Sequence, residues 1–586
     1  MIAQEYDIAV AGGGLAGLCA ALAAARLGAR TVLIHDRPVL GGNASSETRM
    51  HICGASCHDQ RENARETGII EEILLENKHR NPSASYPVFD SILWEKARFQ
   101  PNLDLKLNCR FRKVKMDGDR ISSIEAIGLT NEKVYKIRAK IFIDATGDGS
   151  LSALAGAPFV VGGEPKETYV ESMAPDTFDK HSMGSSLMFK ARDTGKPVPF
   201  VKPFWAYSYT EEDLKLRDHN DITSGYWWIE LGGGELGIIE DAEEIRDELL
   251  KTVFGVWEHI KNKGDHSAEN FDLEWVGFLP GKRESRRIMG QYVLTQDDLT
   301  SGARFKDAVT YGGWPIDVHN NEGISDTLAP PTTQAWLENI YDIPLRCLIP
   351  KDVSNLALAG RIISCSRIAF SSTRVMSTCA SVGQAVGTAA ALSIKLKKLP
   401  KDFGPLEVDI LQQRLLYDGC FIPGVKNTDP LDLARGAGVK GSASKEGWMP
   451  ENVINGISRP TGKDSNGWRD SYENDPWLEL SFPEPVTASE FRLTFDSNLT
   501  REITISLNKY TLEHQSPQTP PEIVKDYSVT LYLKGKLVST AKACGNYQRL
   551  SVLRLEEKTW FDKAVFRFLE GNGEPVATVF EIRAYE

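Results

Sequence analysis

Residues 6–17 read YDIAVAGGGLAG, and residues 31–35 read TVLIH. The first six are an apolar run of strand length. The glycines close it, and residues 15–27, LAGLCAALAAARL, are almost continuous Ala and Leu. This order predicts a buried strand, a tight turn, a helix buried over most of its surface and a second strand, which make one βαβ unit of a parallel sheet. Gly12, Gly14 and Gly17 fit GxGxxG at the strand-to-helix junction. The first glycine permits the turn, the second lets the backbone approach a pyrophosphate, and the third lets helix and strand pack closely. Leu15 and Ala16 open the helix, whose N-terminal amides favour the anion. An acid usually follows about 20 residues later and bonds the ribose. Here His35 holds that place and Asp36 follows, so either side chain can make the contact.

Two further segments resemble strands aimed at the same ligand. One is IFIDATGDGS at 141–150, with Ala145, Thr146, Gly147 and Asp148 at its end; the other is NLALAGRII at 355–363, with Gly360 and Arg361. A long helix is expected over 372–396. Its small residues let its N-terminus approach a ring system, and its dipole favours negative charge there. Arg374 falls in the first turn of that expected helix, where it adds positive charge or reaches a carboxylate. A second GxGxxG, GGGELG at 232–237, follows YWWIEL. IIED and an acidic helix start come after it, where a phosphate would meet carboxylates. The reading is a glycine loop, which leaves no obvious nicotinamide-dinucleotide domain.

Candidate chemistry lies between these segments. Tyr311-Gly-Gly-Trp-Pro-Ile-Asp317-Val-His319 combines a rigid backbone with an acid–imidazole pair two residues apart, which in an extended segment faces one side. A carboxylate can orient a neighbouring imidazole as a general base. Trp314 offers an aromatic wall. Arg283, Arg286 and Arg287 form a basic group in an acidic chain; Arg283 is the candidate for holding a substrate anion, and ion pairs with Glu284 are the alternative. His51, in TRMHICGA, either lines the cavity, links to a cofactor or packs in the core. No HExxH, no Ser-His-Asp order and no metal-ligand spacing stands out, so no metal is expected.

The chain has 586 residues, 41% hydrophobic and 25% charged, with a net charge of -12. That balance fits a globular chain of several domains and argues against nucleic acid as a partner. Nine scattered cysteines read as reduced thiols. No membrane span or secretory leader is visible, so a cytoplasmic location is expected, or a periplasmic one if a leader has been removed.

The GxGxxG start, ATGDG, AGR and four further stretches together resemble the bacterial FAD-dependent oxidoreductase family of the glutathione-reductase-like superfamily. Those stretches are LGGNAS at 40–45, RESRR at 283–287, GGWPIDVH at 312–319 and the run from Gly360 to Ala390. The resemblance covers roughly residues 5–395. It implies an α/β fold, a Rossmann-like FAD-binding domain with an inserted α+β substrate domain, and FAD as cofactor, bound covalently or not. It also places Gly41, Gly42 and Asn43 at the cofactor. From about 437 the character shifts to short alternating runs. Asn455-Gly456, WRD at 468–470, WLEL and the closing EIRAY resemble the discoidin-like, galactose-binding-like jelly roll, a β-sandwich. There Trp448, Trp468 and Tyr472 are either a sugar platform or core residues.

The expected boundaries are 1–160 with 346–400 for the FAD domain, 161–345 for the insert, 401–436 for a linker and 437–586 for the sandwich. Three functions follow. The first is hydride transfer between a small polar substrate, carbohydrate-related by the C-terminal resemblance, and the flavin, with an electron acceptor left open. The second is flavin-dependent elimination or isomerisation without net redox. The third is carbohydrate binding beside a vestigial flavin domain.

Overall fold

In the computed structural model, which describes residues 1–263 and 265–586, the strand Ile2–Ala11 lies inside a mixed seven-stranded sheet. Thr31–Ile34 and then Leu103–Lys106 flank it on one side, and Val134–Asp144, Arg120–Gly128 and Cys109–Asp117 on the other. Leu356–Leu358 also pairs with Val134–Asp144. The register positions the site. Ala11 sits opposite both Ile34 and Asp144, and Leu358 sits opposite Asp144, all in parallel pairings. Three parallel strands therefore end level, and GGGLAG, ATGDG and AGR all leave the sheet from that edge. Ligand sites of open α/β sheets form at the carboxyl ends of the strands.

Helix Leu15–Arg26 is buried along nearly its whole length because its Ala and Leu side chains have apolar neighbours on most sides. One neighbour is the helix Met376–Leu396. A Cβ on Gly383 would stand 2.0 Å from the Ala16 carbonyl oxygen, and one on Gly387 2.1 Å from that of Ala20. Two glycines one turn apart thus bring the two backbones into contact.

The single helix expected over 372–396 is instead two, Arg367–Thr373 and Met376–Leu396, bent by 93°. Ser-Ser-Thr is a weak helix run whose hydroxyls find other partners. Ser371 Oγ bonds back to the Arg367 carbonyl, whereas Ser372 Oγ leaves the helix for the Trp314 carbonyl at 2.5 Å. Arg374 therefore caps the end of the first helix instead of opening the second. Among the described residues no single helix is long and apolar enough to cross a membrane.

Between 161 and 345 a second core forms on the helix Ala242–Glu258 and the antiparallel pair Phe189–Asp193 with Phe271–Val276, around Phe189, Trp228 and Trp257. Ala308–Gly312 pairs with Tyr341–Pro344. Ile316–His319 pairs with Thr332–Ala335, which sets Asp317 opposite Gln334 and His319 opposite Thr332. The extended segment expected there is a strand.

The chain divides into two compact units. One holds Met1–Cys57, Ala84–Val408 and Thr504–His514; the other holds His58–Ser83, Asp409–Ile503 and Gln515–Glu586. Three features depart from the expected boundaries. Residues 401–436 carry the helix Pro405–Tyr417 and core residue Ala434, 58–83 join the C-terminal unit, and Thr504–His514 belong to the first. Buried arginines explain the second. Arg459, 1% exposed, donates to the carbonyls of Asn63 and Arg65 and to Thr67 Oγ1. Arg65 pairs with Glu71 at 2.8 Å and bonds Ser497 Oγ at 3.0 Å.

The second unit is an antiparallel seven-stranded β-structure in the order Trp468–Ser471, Val576–Tyr585, Trp477–Phe495, Leu550–Gly571, Val524–Leu533 and Lys536–Ala543, with Gly438–Gly441 on Trp477–Phe495. Alternating runs such as EFRLTF put Phe491, Leu493 and Phe495 into one core with Trp468 and Phe566. Trp468 is fully buried, with its indole N–H on the Ala443 carbonyl. Tyr472 packs against that core, and the Arg469 guanidinium covers Trp448 at 4.3 Å. Trp468 and Tyr472 are packing residues, and Trp448 is half-buried beneath Arg469.

Asp432 in this unit accepts from Asn427 Nδ2 and from the amides of Ala434 and Ala584, yet burial pushes its carboxyl up to about 6. A folded pKa above the unfolded one means the contribution is present below about pH 4 and lost as pH rises through about 6. The stability of the wild type relative to Asp432→Asn is therefore expected to fall by about 2 kcal/mol between pH 4 and 7, measured by urea unfolding at each pH. A difference that stays flat would contradict this.

Candidate active site

The glycine turn leaves room at one place only. Gly12 is left-handed (φ +102), and a Cβ there would meet the Ala145 carbonyl oxygen at 2.2 Å. A Cβ on Gly17 would meet the Gly12 carbonyl oxygen at 1.9 Å. These two glycines serve the fold. A Cβ on Gly14 meets nothing nearer than Gly42 Cα at 4.0 Å. Gly14 is the N-cap of Leu15–Arg26 and supplies no side-chain cap to the first amides, which include Leu15 and Ala16. Gly41 and Gly42, both left-handed, form the opposite wall, with Gly41 N bonded to the Gly13 carbonyl. Asn43 holds this wall to the insert through the Lys282 carbonyl at 3.0 Å. A cradle open at Gly14 and lined by uncapped helix amides fits a pyrophosphate.

His35 completes one end. Its Nδ1 accepts from Gly13 N at 3.0 Å, which places the ring proton on Nε2. Burial lowers the pKa of the ring, so it stays neutral. Nε2 is buried with no partner, a donor available to a ribose or adenine, whereas Asp36 is about half exposed.

The other two strand ends are clamped together. Arg361 Nη2 pairs with Asp148 Oδ1 at 3.0 Å, and Lys282 Nζ with Oδ2 at 2.8 Å. Burial would raise the Asp148 carboxyl, but Arg361 and Lys282 outweigh it and hold it below the usual range. Asp148 and Arg361, expected as separate cofactor contacts beside Gly147 and Gly360, thus hold each other. Asp144 anchors the first loop from below, since it is fully buried and accepts from the amides and hydroxyls of Thr146 and Ser152. The acid in IFID was legible as a strand end but not as this anchor.

The substrate-side candidates fall into one buried network. His319 Nδ1 lies 2.7 Å from Glu230 Oε2, and its Nε2 lies 3.2 Å from Asp317 Oδ2. Arg374 Nη2 bonds the same Asp317 oxygen at 2.9 Å, and Arg283 Nη1 lies 3.2 Å from Glu230 Oε2. Asp317 Oδ1 takes Thr332 Oγ1 and Gln334 Nε2. Burial opposes ionisation of both acids, yet their cations and hydrogen bonds win, and hold the Glu230 carboxyl below the ordinary range and that of Asp317 well below it. Two atoms of the network are buried with no partner, Glu230 Oε1 and Arg374 Nε. His319 is 5% exposed, with both nitrogens on carboxylates, so it is not the open ring the acid–imidazole pair suggested. Glu230 went unrecognised in the sequence. Its signal was a lone acid in the apolar run YWWIEL.

Other candidates sit elsewhere. Tyr311 is 1% exposed, inside the pairing with Tyr341–Pro344. Trp314 packs with Cys57 and Val375 and lines no open wall. His51 is half-buried on the irregular segment after Asn43. Of the arginine group, Arg287 is fully buried between Glu164 and Glu284, the ion-pair alternative, and Arg286 bonds the Asp148 carbonyl. At the second glycine run, the Gly237 amide donates to Asp241 at 2.8 Å, so a carboxylate fills the place of a phosphate. Among the described residues none of the nine cysteines forms a disulfide.

A level edge of parallel strands, a glycine cradle and an uncapped helix end define a dinucleotide-binding α/β protein. The family model for FAD dependent oxidoreductases matches residues 7–415, and the chain belongs to that family, with FAD as its cofactor. Comparison with curated proteins returned no match. Among solved structures the chain is similar to a fucose-binding module of Streptococcus pneumoniae, with 11% identity over 26% of this chain and 94% of that one and a TM-score of 0.20. It is also similar to the family 32 carbohydrate-binding module of S. pneumoniae EndoD, with 14% identity, 26% and 99% coverage and a TM-score of 0.21. A third is the family 32 module of C. perfringens NanJ in complex with galactose, with 11% identity, 26% and 96% coverage and a TM-score of 0.19.

Proposed function

We propose that this chain catalyses a redox reaction on a small polar substrate, with the network of Glu230, His319, Asp317, Arg283 and Arg374 on the substrate side. FAD, when bound, supplies the hydride acceptor or donor at its N5. The observation that carries the reading is the pair of buried, unpartnered atoms in that network, Glu230 Oε1 and Arg374 Nε. One is an acceptor and the other a donor, which together match a hydroxyl, since it both donates and accepts; an apolar substrate would leave both unpaired at a cost of about 1–3 kcal/mol each.

Arg283 and His319 hold the Glu230 carboxylate below its usual range and so make it a weaker base, and Glu230 positions a hydroxyl. His319 moves the proton. Its bond to Asp317 is the longer of its two, and giving that bond up turns Nε2 toward the substrate while Glu230 keeps the ring oriented. Asp317, freed, stays held by Arg374, Thr332 and Gln334. Sugars and glycosides are the first substrates to try, on the strength of the discoidin-like pattern in the second unit.

The test is anaerobic mixing of the flavin-loaded protein with candidate sugars while the visible flavin absorption is followed. Bleaching by one of them is the expected result. With that substrate, His319→Asn should retain FAD and slow the bleaching by roughly a hundredfold, the usual worth of a positioned proton-transfer group. Asp317→Asn should lose less. Product formation without bleaching would replace this reading with a reaction that has no net redox. An unchanged rate in His319→Asn would remove the histidine from the proton path.

A further inference from the structure

Four side chains of the insert converge away from the glycine cradle: Glu211, His219, His259 and His266. One ligand-type atom from each lies within 4.8 Å of all the others. Glu211 opens a short helical turn held by a capping box between Thr210 and Asp213. His219 follows on a loop, His259 ends the helix Ala242–Glu258, and His266 lies beyond it.

Their separations match one geometry. His259 Nε2 is 3.0 Å from Glu211 Oε2, His266 Nε2 is 3.3 Å from His259 Nε2, His219 Nε2 is 3.5 Å from Glu211 Oε1, and His266 Nε2 is 3.8 Å from Glu211 Oε2. Ligands at about 2.0–2.1 Å on the corners of a tetrahedron stand about 3.3 Å apart. The three distances among Glu211 Oε2, His259 and His266 scatter around that edge, and His219 approaches the other carboxylate oxygen.

The hydrogen bonding agrees. His219 Nδ1 lies 2.6 Å from the Arg217 carbonyl, so the ring proton sits there and Nε2 presents its lone pair inward. That nitrogen faces a carboxylate oxygen of Glu211, a contact that a metal ion satisfies as well as a second ring proton does. A histidine fixed by a backbone carbonyl on its far nitrogen is the usual support of a metal-ligating ring. The surroundings are equally built. Lys261 Nζ holds the carbonyls of Ala268, Glu269 and Phe271 at 2.6–2.7 Å, the Tyr226 hydroxyl bonds the His219 carbonyl at 3.0 Å, and the Trp228 indole bonds the Asp218 carbonyl at 2.8 Å.

We infer that Glu211, His219, His259 and His266 bind one divalent transition-metal ion, Zn²⁺ by preference, in a closed tetrahedral site. Three imidazoles and a carboxylate suit a borderline ion such as Zn²⁺. Four protein ligands fill the tetrahedron and leave no position for substrate, which is the form of a structural site. The ion staples the 210–219 loop to the C-terminal end of Ala242–Glu258. This inference does not depend on the reaction proposed above.

The test uses the tag-free, flavin-loaded full chain. Elemental analysis of the protein as isolated, and Zn²⁺ titration after chelation against a chromophoric competitor, should give one equivalent per chain. Co²⁺ in its place should show the intense visible bands of tetrahedral coordination. Chelation should lower the melting temperature and Zn²⁺ should restore it. His259→Ala should lose the ion. If that variant does not fold, Glu211→Gln, whose side chain is mostly exposed, should weaken Zn²⁺ at least tenfold with the flavin content unchanged. No saturable uptake of Zn²⁺ or Co²⁺ would overturn the inference. So would uptake of equal affinity in wild type, His259→Ala and Glu211→Gln, which would place the ion elsewhere.

Discussion

Gly14→Val is expected to yield a protein that folds as the wild type does and carries no flavin. The backbone at Gly14 has φ -62 and ψ 173, an extended conformation that valine adopts without strain. A Cβ there finds 4.0 Å of clearance to the nearest protein atom. The new side chain therefore competes only with whatever lies in the cradle. Helix amides and a pyrophosphate need direct approach, so the expected loss of FAD affinity is at least ~100-fold, about 2.7 kcal/mol. Flavin released on denaturation, counted per chain, measures it; circular dichroism checks the fold. Gly17→Ala is the control, because its Cβ would stand 1.9 Å from the Gly12 carbonyl oxygen and the fold itself must give way. If Gly14→Val keeps a full complement of FAD, the pyrophosphate does not lie in this cradle.

The contrast between these glycines shows what the sequence carries. GxGxxG before a helix implies three glycines with three tasks; the backbone needs Gly12 and Gly17 for the turn and the close packing and leaves space at Gly14. Strand ends at ATGDG and AGR were legible because an apolar run closed by glycine is a local signal. Their level register is not local, yet it follows once the three strands are parallel neighbours.

What stayed hidden depends on partners distant in sequence. The break before Met376 arises because Ser372 bonds Trp314 across 58 residues, which no helical periodicity records. Glu230 meets His319 across 89 residues. The segment 58–83 joins the second unit through Arg459, nearly 400 residues further on. His219, His259 and His266 come from a loop, a helix end and another loop, so no short spacing marks them as a ligand set. Pairing expectations fail in the same way. Arg361 and Asp148 were each read toward a ligand, and they face each other.

Arg374→Met should destabilise the protein by about 3–5 kcal/mol, the usual cost of leaving a buried charge without its partner. Asp317 and Glu230 are two buried carboxylates, and Arg283 and Arg374 are the arginines set against them. Asp317 is 5% exposed, so water cannot stand in for the lost guanidinium. Methionine keeps much of the side chain's volume, so the loss reports charge more than a cavity. The sign of the pH dependence separates this from a packing defect. In the wild type both folded carboxyls are depressed, so their contribution is present above the unfolded range near pH 4 and is lost as pH falls below it. Without Arg374, burial acts on Asp317 with less opposition and its carboxyl moves up toward protonation. The stability gap between wild type and variant should therefore be widest above pH 4 and should narrow as pH is lowered below it, read from urea midpoints at a fixed flavin content. A gap of the same size across that range would mean that Arg374 acts through its packing at the corner between the two helices and that the two carboxylates do not depend on its charge.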